Sequence, residues 1–153
     1  MKLALASDHA GYSLKDVFVR RLREQGHEVL DLGVDTPDVP SDYPDAALAI
    51  GQAVLEGRAE RGILVCGSGI GACIAANKIP GIYASIAHDT YSAHQGVEHD
   101  RMNILCLGAR IIGVAPAEEI IDAFLKAQPS DEERHKRRFG KMQAIEEQKL
   151  NHT

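Results

Sequence analysis

Five short runs of strand-forming residues, at 2–7, 28–32, 62–66, 82–87 and 103–107, recur with longer helical patterns between them, and this alternation constrains the fold more than any other feature. Strand and helix in turn build βαβ units, hence a parallel sheet with helices on its faces. The first helix has the clearest period. Leu14, Val17, Phe18 and Leu22 fall at helical spacing, Arg20, Arg21, Arg23 and Glu24 lie mostly on the other side, and Gly26 terminates it. A second opens at Tyr43-Pro44, where proline fits the first turn, directs Ala47, Ile50, Val54 and Leu55 to the core, and stops at Gly57. Ala115-Pro116 opens another, with Ile120, Ile121, Phe124 and Leu125 apolar, before Gln128-Pro129 interrupts it.

The last segment differs in kind. Ser130-Asp131-Glu132-Glu133 matches a capping box, and the charged helix that follows, about residues 130–150, offers only Phe139, Met142, Ile145 and Leu150 as an apolar face. A helix this polar at the end of a finished α/β unit packs across a subunit boundary more often than into its own core, so a homodimer is expected. With 153 residues, 44% of them hydrophobic, and no linker or low-complexity tract, the chain reads as one domain, 1–153.

Seventeen basic residues against 22 acidic ones give a net charge of −5, which argues against general nucleic-acid binding but leaves room for a local phosphate site. Cys66, Cys73 and Cys106 are odd in number, lie in apolar surroundings and lack Cys-x-x-Cys spacing, so they read as reduced thiols, neither disulfides nor zinc ligands. The apolar opening ends at Ser7-Asp8-His9, too soon for a signal peptide, so the mature chain is expected to start here. The uncharged stretch from Gly62 to Asn77 is too short and too broken by glycine to span a bilayer. A cytoplasmic protein without membrane attachment is expected.

In an open parallel sheet, ligands gather beyond the C-terminal ends of the strands, near the switch in strand order. Three strand ends here carry polar groups: Ser7-Asp8-His9, Cys66 with the turn after it, and Gly108-Ala109-Arg110. The turn is the most distinctive, because the apolar run from Gly62 to Val65 delivers Cys66 directly into Gly67-Ser68-Gly69-Ile70-Gly71. Its glycines expose consecutive backbone N–H groups at the expected start of a helix, where partial positive charge favours a thiolate and any oxyanion formed nearby. On pattern alone Cys66 can also be an inert core thiol, and Asp8 a helix cap.

A dinucleotide-binding reading fits poorly. The third glycine comes one residue early for Gly-x-Gly-x-x-Gly and the turn follows the third strand, although Asp89 lies about twenty residues on, where a ribose-binding acid belongs. His88, His94 and His99 do not share one helical face, which disfavours a metal site. Arg134, Arg138 and Lys141 do share one, as a solvated stripe or as a grip on phosphate.

Taken together, Ser7-Asp8-His9-Ala10-Gly11, Ser41-Asp42-Tyr43-Pro44, Cys66-Gly67-Ser68-Gly69-Ile70-Gly71, Ile74-Ala75-Ala76-Asn77-Lys78, Tyr91-Ser92-Ala93 and Leu107-Gly108-Ala109-Arg110 resemble type B ribose-5-phosphate isomerase over nearly the whole chain. The broader family includes galactose-6-phosphate isomerases. The resemblance implies a Rossmann-like three-layer α/β/α sandwich with a five-stranded parallel sheet and an extra C-terminal helix packing on a partner subunit. It implies an active site between the subunits of a homodimer, or of a dimer of such dimers.

It further implies a sugar-phosphate isomerase that uses no cofactor and no metal, and moves a proton between C1 and C2 through a cis-enediolate. Cys66 matches the base of that reaction. A second branch of the family has a glutamate where this chain has Ala72, and lacks the cysteine. The amides of Gly67, Ser68, Gly69, Ile70 and Gly71, with the Ser68 hydroxyl, match the groups that stabilise the enediolate. His99 matches the histidine that opens the furanose ring. Asp8, His9 and Tyr43 match residues holding the sugar hydroxyls and phosphate. Arg110, Arg134 and Arg138, with Arg137 as the alternative to Arg138, match the basic positions around the substrate.

One position departs from the family pattern. An asparagine commonly follows the catalytic histidine, whereas this chain has His99-Asp100-Arg101. An amide donates hydrogen bonds and an ionised carboxylate does not. Asp100 beside an enediolate is repulsive unless it accepts from a sugar hydroxyl, pairs with Arg101 or is protonated. The reaction class is therefore better fixed than the sugar. Interconversion of ribose 5-phosphate and ribulose 5-phosphate leads, with a tetrose phosphate, or a hexose phosphate such as galactose 6-phosphate or allose 6-phosphate, as alternatives. A non-catalytic sugar-phosphate binding module is the reading from another class.

Overall fold

The computed structural model describes residues 1–150, the side chains of residues 149 and 150 excepted. Strands β1 (Lys2–Ser7), β2 (Glu28–Gly33), β3 (Arg61–Cys66), β4 (Ala84–Ile86) and β5 (Ile104–Gly108) alternate with α1 (Tyr12–Glu24), α2 (Tyr43–Leu55), α3 (Ile70–Ala76), α4 (Thr90–Asp100) and α5 (Val114–Lys126); α6 (Glu133–Leu150) follows. The strands form one parallel sheet in the order β2-β1-β3-β5-β4. This is the expected three-layer α/β/α sandwich.

The period of two in the central strands sorts the core into its layers. Leu3, Leu5, Ile63, Val65, Leu105 and Leu107 face one side, against Phe18 and Leu22 of α1, Val97 of α4 and Ile120, Ile121 and Phe124 of α5. Ala4, Ala6, Leu64, Cys66, Ile104 and Cys106 face the other, under Ala46, Ala47, Ile50 and Ala53 of α2 and Ala72 and Ala76 of α3. Small residues dominate this second layer, which lets α2 and α3 lie close to the sheet. Each large side chain fully buried in these layers contributes about 1.5–3 kcal/mol relative to exposure.

Helix placement opens the crevice. From β1 and β5 the chain leaves to the first face through α1 and α5, whereas from β3, between them, it leaves to the second face through α3. Such divergence at a switch in strand order leaves space beyond the strand end, here directly above Cys66.

Several expectations need correction. β4 is only three residues long, not the run 82–87, because it is an edge strand paired with β5 alone and its borders are held by side chains. Asn103 Oδ1 accepts from Tyr83 N at 2.8 Å and Asn77 Oδ1 from Ala84 N at 2.9 Å, replacing ladder bonds on that edge. Leu55, expected in the core, is 51% exposed at the last position of α2. α6 begins at Glu133 without the expected capping box, since Ser130 Oγ accepts from Glu132 N at 3.2 Å in a local turn. Lys15, on the buried face of α1, was not anticipated: its Nζ donates to Asp31 at 2.7 Å and to the carbonyls of Leu32 and Val34 at 2.9 and 2.7 Å.

α6 also docks on its own chain. Phe139 meets Tyr83 edge-to-face at 4.9 Å, and Glu146 accepts from the Tyr83 hydroxyl at 3.1 Å and from Gly81 N at 3.0 Å. The desolvated Tyr83 hydroxyl, beside Glu146, has its pKa raised. Met142 and Ile145 remain exposed, and the Leu150 side chain lies outside the described residues. No helix among the described residues is long and apolar enough to cross a membrane.

Candidate active site

Asp8, His9, Tyr43, Cys66, Gly67, Ser68, Gly71 and Arg110 converge on a cavity of about 320 Å³ at the C-terminal edge of the sheet, joined by Ala10 and Ile111, which sequence reasoning did not single out. Its volume sits at the lower end of small-ligand sites, suiting one sugar phosphate better than a dinucleotide.

Cys66 is the last residue of β3, and its Sγ accepts a hydrogen bond from Gly69 N at 3.1 Å. Gly69 has φ +83°, which aims its N–H back at the sulfur in a backbone conformation that costs glycine little. Ser68 Oγ accepts from Ile70 N at 3.2 Å, leaving its O–H to donate elsewhere. Two of the five expected oxyanion donors, Gly69 and Ile70, are therefore engaged inside the turn. Among the described residues, the N–H groups of Gly67 and Ser68 have no protein acceptor. At Gly71 a Cβ would lie 2.5 Å from Tyr43 Cζ, so a side chain there would push aside the phenol that walls this side.

The remaining groups are oriented by backbone contacts. Ala109 N donates to Cys66 O at 2.9 Å and Arg110 N to Gly67 O at 3.0 Å, fixing the segment after β5 beside the cysteine turn, with the Arg110 guanidinium over Gly67. His9 Nδ1 accepts from Ser41 N at 3.1 Å, which places the ring proton on Nε2 as a donor. Asp8 Oδ1 accepts from Gly11 N at 3.0 Å, a bond in the turn before α1 rather than a cap, since Gly11 is the N-cap and no side chain caps that helix, and the carboxylate lines the cavity. His88 was missed as a support: its Nε2 accepts from Gly108 N at 3.0 Å, and desolvation lowers its pKa, with Asp89 opposing. Only its place one residue after an apolar strand could have flagged it.

His99, Asp100, Arg134 and Arg138 do not line this cavity. α4 runs antiparallel to the strands, so it carries His99 and Asp100 to the opposite end of the sheet from Cys66. There His99 Nδ1 faces Gln95 Nε2 at 2.8 Å, and the His99 ring stacks on His135 with centroids 3.9 Å apart. Arg134 pairs with Glu132 at 2.7 Å; Arg137 and Arg138 are exposed. Arg101, offered above as a partner for Asp100, instead lies over the Phe139 ring at 5.4 Å. Asp100 borders a larger cavity of about 400 Å³ beside β4, whose lining contains no cation to hold a phosphate. The expected site residues thus fall into two separate groups within one chain. The other two cysteines lie off the cavity: a hydrogen bond with Cys73, then burial, raises the pKa of Cys106, while the half-buried Cys73 thiol is lowered to about 7 chiefly by a hydrogen bond from Cys106.

The chain is similar to known proteins over most of its length. A family model described as Ribose/Galactose Isomerase matches residues 3–142. Ribose-5-phosphate isomerase B of Escherichia coli K12 is 40% identical over 148 residues, covering 97% of this chain and 98% of the relative. D-erythrulose-4-phosphate isomerase of Pectobacterium atrosepticum is 41% identical over 128 residues, 84% of each chain. A solved ribose-5-phosphate isomerase B from Clostridium thermocellum superposes with a TM-score of 0.93 at 42% identity, covering 97% of this chain and 99% of that one.

Proposed function

Because this chain belongs to the ribose/galactose isomerase family, a family of aldose–ketose isomerases, we propose that it interconverts ribose 5-phosphate and ribulose 5-phosphate through a cis-enediolate, with Cys66 as the base. The observation that carries this reading is the Gly69 N–H on Cys66 Sγ at the floor of a cavity sized for one sugar phosphate, a bond that a thiolate accepts better than a thiol. The thiolate takes the proton from C2 of the open-chain aldose. The C1 carbonyl becomes an enediolate oxygen, for which the unengaged N–H groups of Gly67 and Ser68 and the Ser68 hydroxyl are available. Return of the proton to C1, with the C2 hydroxyl proton passing to O1, gives the ketose. Asp8, His9 Nε2–H, Tyr43 and Arg110 hold the hydroxyls and phosphate.

The C1 hydroxyl proton passes to the furanose ring oxygen as its bond to C1 breaks, with His99 Nε2–H hydrogen-bonded to that oxygen and stabilising the charge that develops on it. The separation of His99, Asp100, Arg134 and Arg138 from Cys66 within one chain supports a homodimer in which a second copy brings that half-site to this cavity. A tetrose phosphate is the second reading, favoured by Asp100 in place of the family asparagine and by the 41% identity to a D-erythrulose-4-phosphate isomerase.

Two measurements test these readings. Cys66→Ala is expected to abolish exchange of the C2 proton with solvent, a loss of about a hundredfold or more, while a phosphate-bearing inhibitor still binds. Undiminished exchange overturns the assignment. Comparing kcat/KM across erythrose 4-phosphate, ribose 5-phosphate, galactose 6-phosphate and allose 6-phosphate fixes the sugar, with ribose 5-phosphate expected to lead. A lead for erythrose 4-phosphate selects the second reading.

A further inference from the structure

α4 ends where α6 begins. Ser130 N donates to the Glu98 carbonyl at 2.8 Å, fixing the entry to α6 against the last turn of α4. This junction brings the rings of His99 and His135 into a stack with centroids 3.9 Å apart and planes 23° from parallel. His135 is only 3% exposed, and its Nδ1 is buried without a hydrogen-bond partner among the described residues. Gln95, one turn before His99, presents its amide nitrogen to His99 Nδ1 at 2.8 Å, so Nδ1 accepts and the ring proton sits on Nε2. An in-plane bond and a face-on neighbour together leave the His99 ring little freedom.

The charges around His135 come from both packed elements: His99 on α4, Arg134 and Arg138 on α6, and Glu132 just before α6. Burial first, then His99, Arg134 and Arg138, push its pKa down, with Glu132 opposing.

We propose that His135 is a positioning residue for His99, its stacked ring fixing the plane in which His99 presents Nε2–H to the ring oxygen of a cyclic sugar phosphate. This rests on the ring-opening role proposed for His99.

The test uses the intact protein. His135→Ala is expected to lower kcat on ribose 5-phosphate about tenfold with KM within about twofold, and His135→Phe, which keeps the stack, to restore kcat to within about threefold. On erythrose 4-phosphate, whose O4 is esterified and which closes no furanose ring, His135→Ala is expected to change kcat less than about twofold. Equal losses on both sugars, or wild-type kcat on ribose 5-phosphate, overturn the proposal. Ring-nitrogen NMR is independent of turnover and of the alanine variant. The wild type and His135→Phe are expected to hold His99 as the Nε2–H tautomer, and an Nδ1–H tautomer in the wild type overturns the proposal. His99→Asn separates the two levels. If it spares ribose 5-phosphate turnover, the ring-opening reading fails; if it impairs turnover while His135→Ala does not, only the positioning role fails.

Discussion

At the scale of the residue, the cysteine is defined by its neighbours. Cys66 sits in the same layer as Cys106, both deeply buried on one face of the sheet, yet only Cys66 ends its strand beneath a turn whose amide reaches its sulfur. Gly69→Ala is expected to cost about 1–2 kcal/mol in urea unfolding, because an L side chain is strained at φ +83°, and to lower kcat by tilting the amide off the sulfur. Unchanged stability and turnover would show that the turn accommodates the side chain without moving the amide. His88 sets a pH dependence. Its pKa in the folded chain lies below the ordinary 6.5, so its contribution to stability is complete above that value and is lost as pH falls through it toward the lower folded pKa. Chemical denaturation between pH 7.5 and 5 is expected to show a steeper loss for the wild type than for His88→Gln, whose amide oxygen accepts from Gly108 N without titrating.

At the scale of the element, the best-read parts were those whose periodicity is set by burial. β1 and the apolar stripe Ile120, Ile121, Phe124 and Leu125 of α5 match their expected positions because one face of each must enter a core. Lys15 escaped because its burial depends on Asp31 and two carbonyls around β2, partners that sequence spacing does not reveal. Lys15→Met is expected to cost about 3 kcal/mol in urea unfolding, since it leaves two carbonyls and a carboxylate without their donor. A cost near zero would mean that water replaces the ammonium. β4 was overread because its flanks are satisfied by Asn77 and Asn103 side chains rather than by a ladder. The cavity around Cys66 was largely legible, since its residues lie at the strand ends and the start of α2. His135 and Gln95 were not, because they act on His99 from positions with no local motif.

At the scale of the whole molecule, the two groups of residues proposed to form the site lie at opposite ends of the sheet. Cys66 has a cavity and a cation, Arg110, but no histidine placed by α4; His99 has Gln95, His135 and the arginines of α6 but no base. A two-fold pair of chains that matches one half-site to the other makes two complete sites, and the exposed Ile70 and Ile74 of α3, beside the cavity, would be covered by that pairing. The most direct test mixes two inactive variants. Cys66→Ala and His99→Asn chains, unfolded together and refolded, are expected to recover about a quarter of wild-type turnover on ribose 5-phosphate, because half the dimers are mixed and each mixed dimer holds one intact site. A mixture no more active than its parents would contradict a site completed by the second copy.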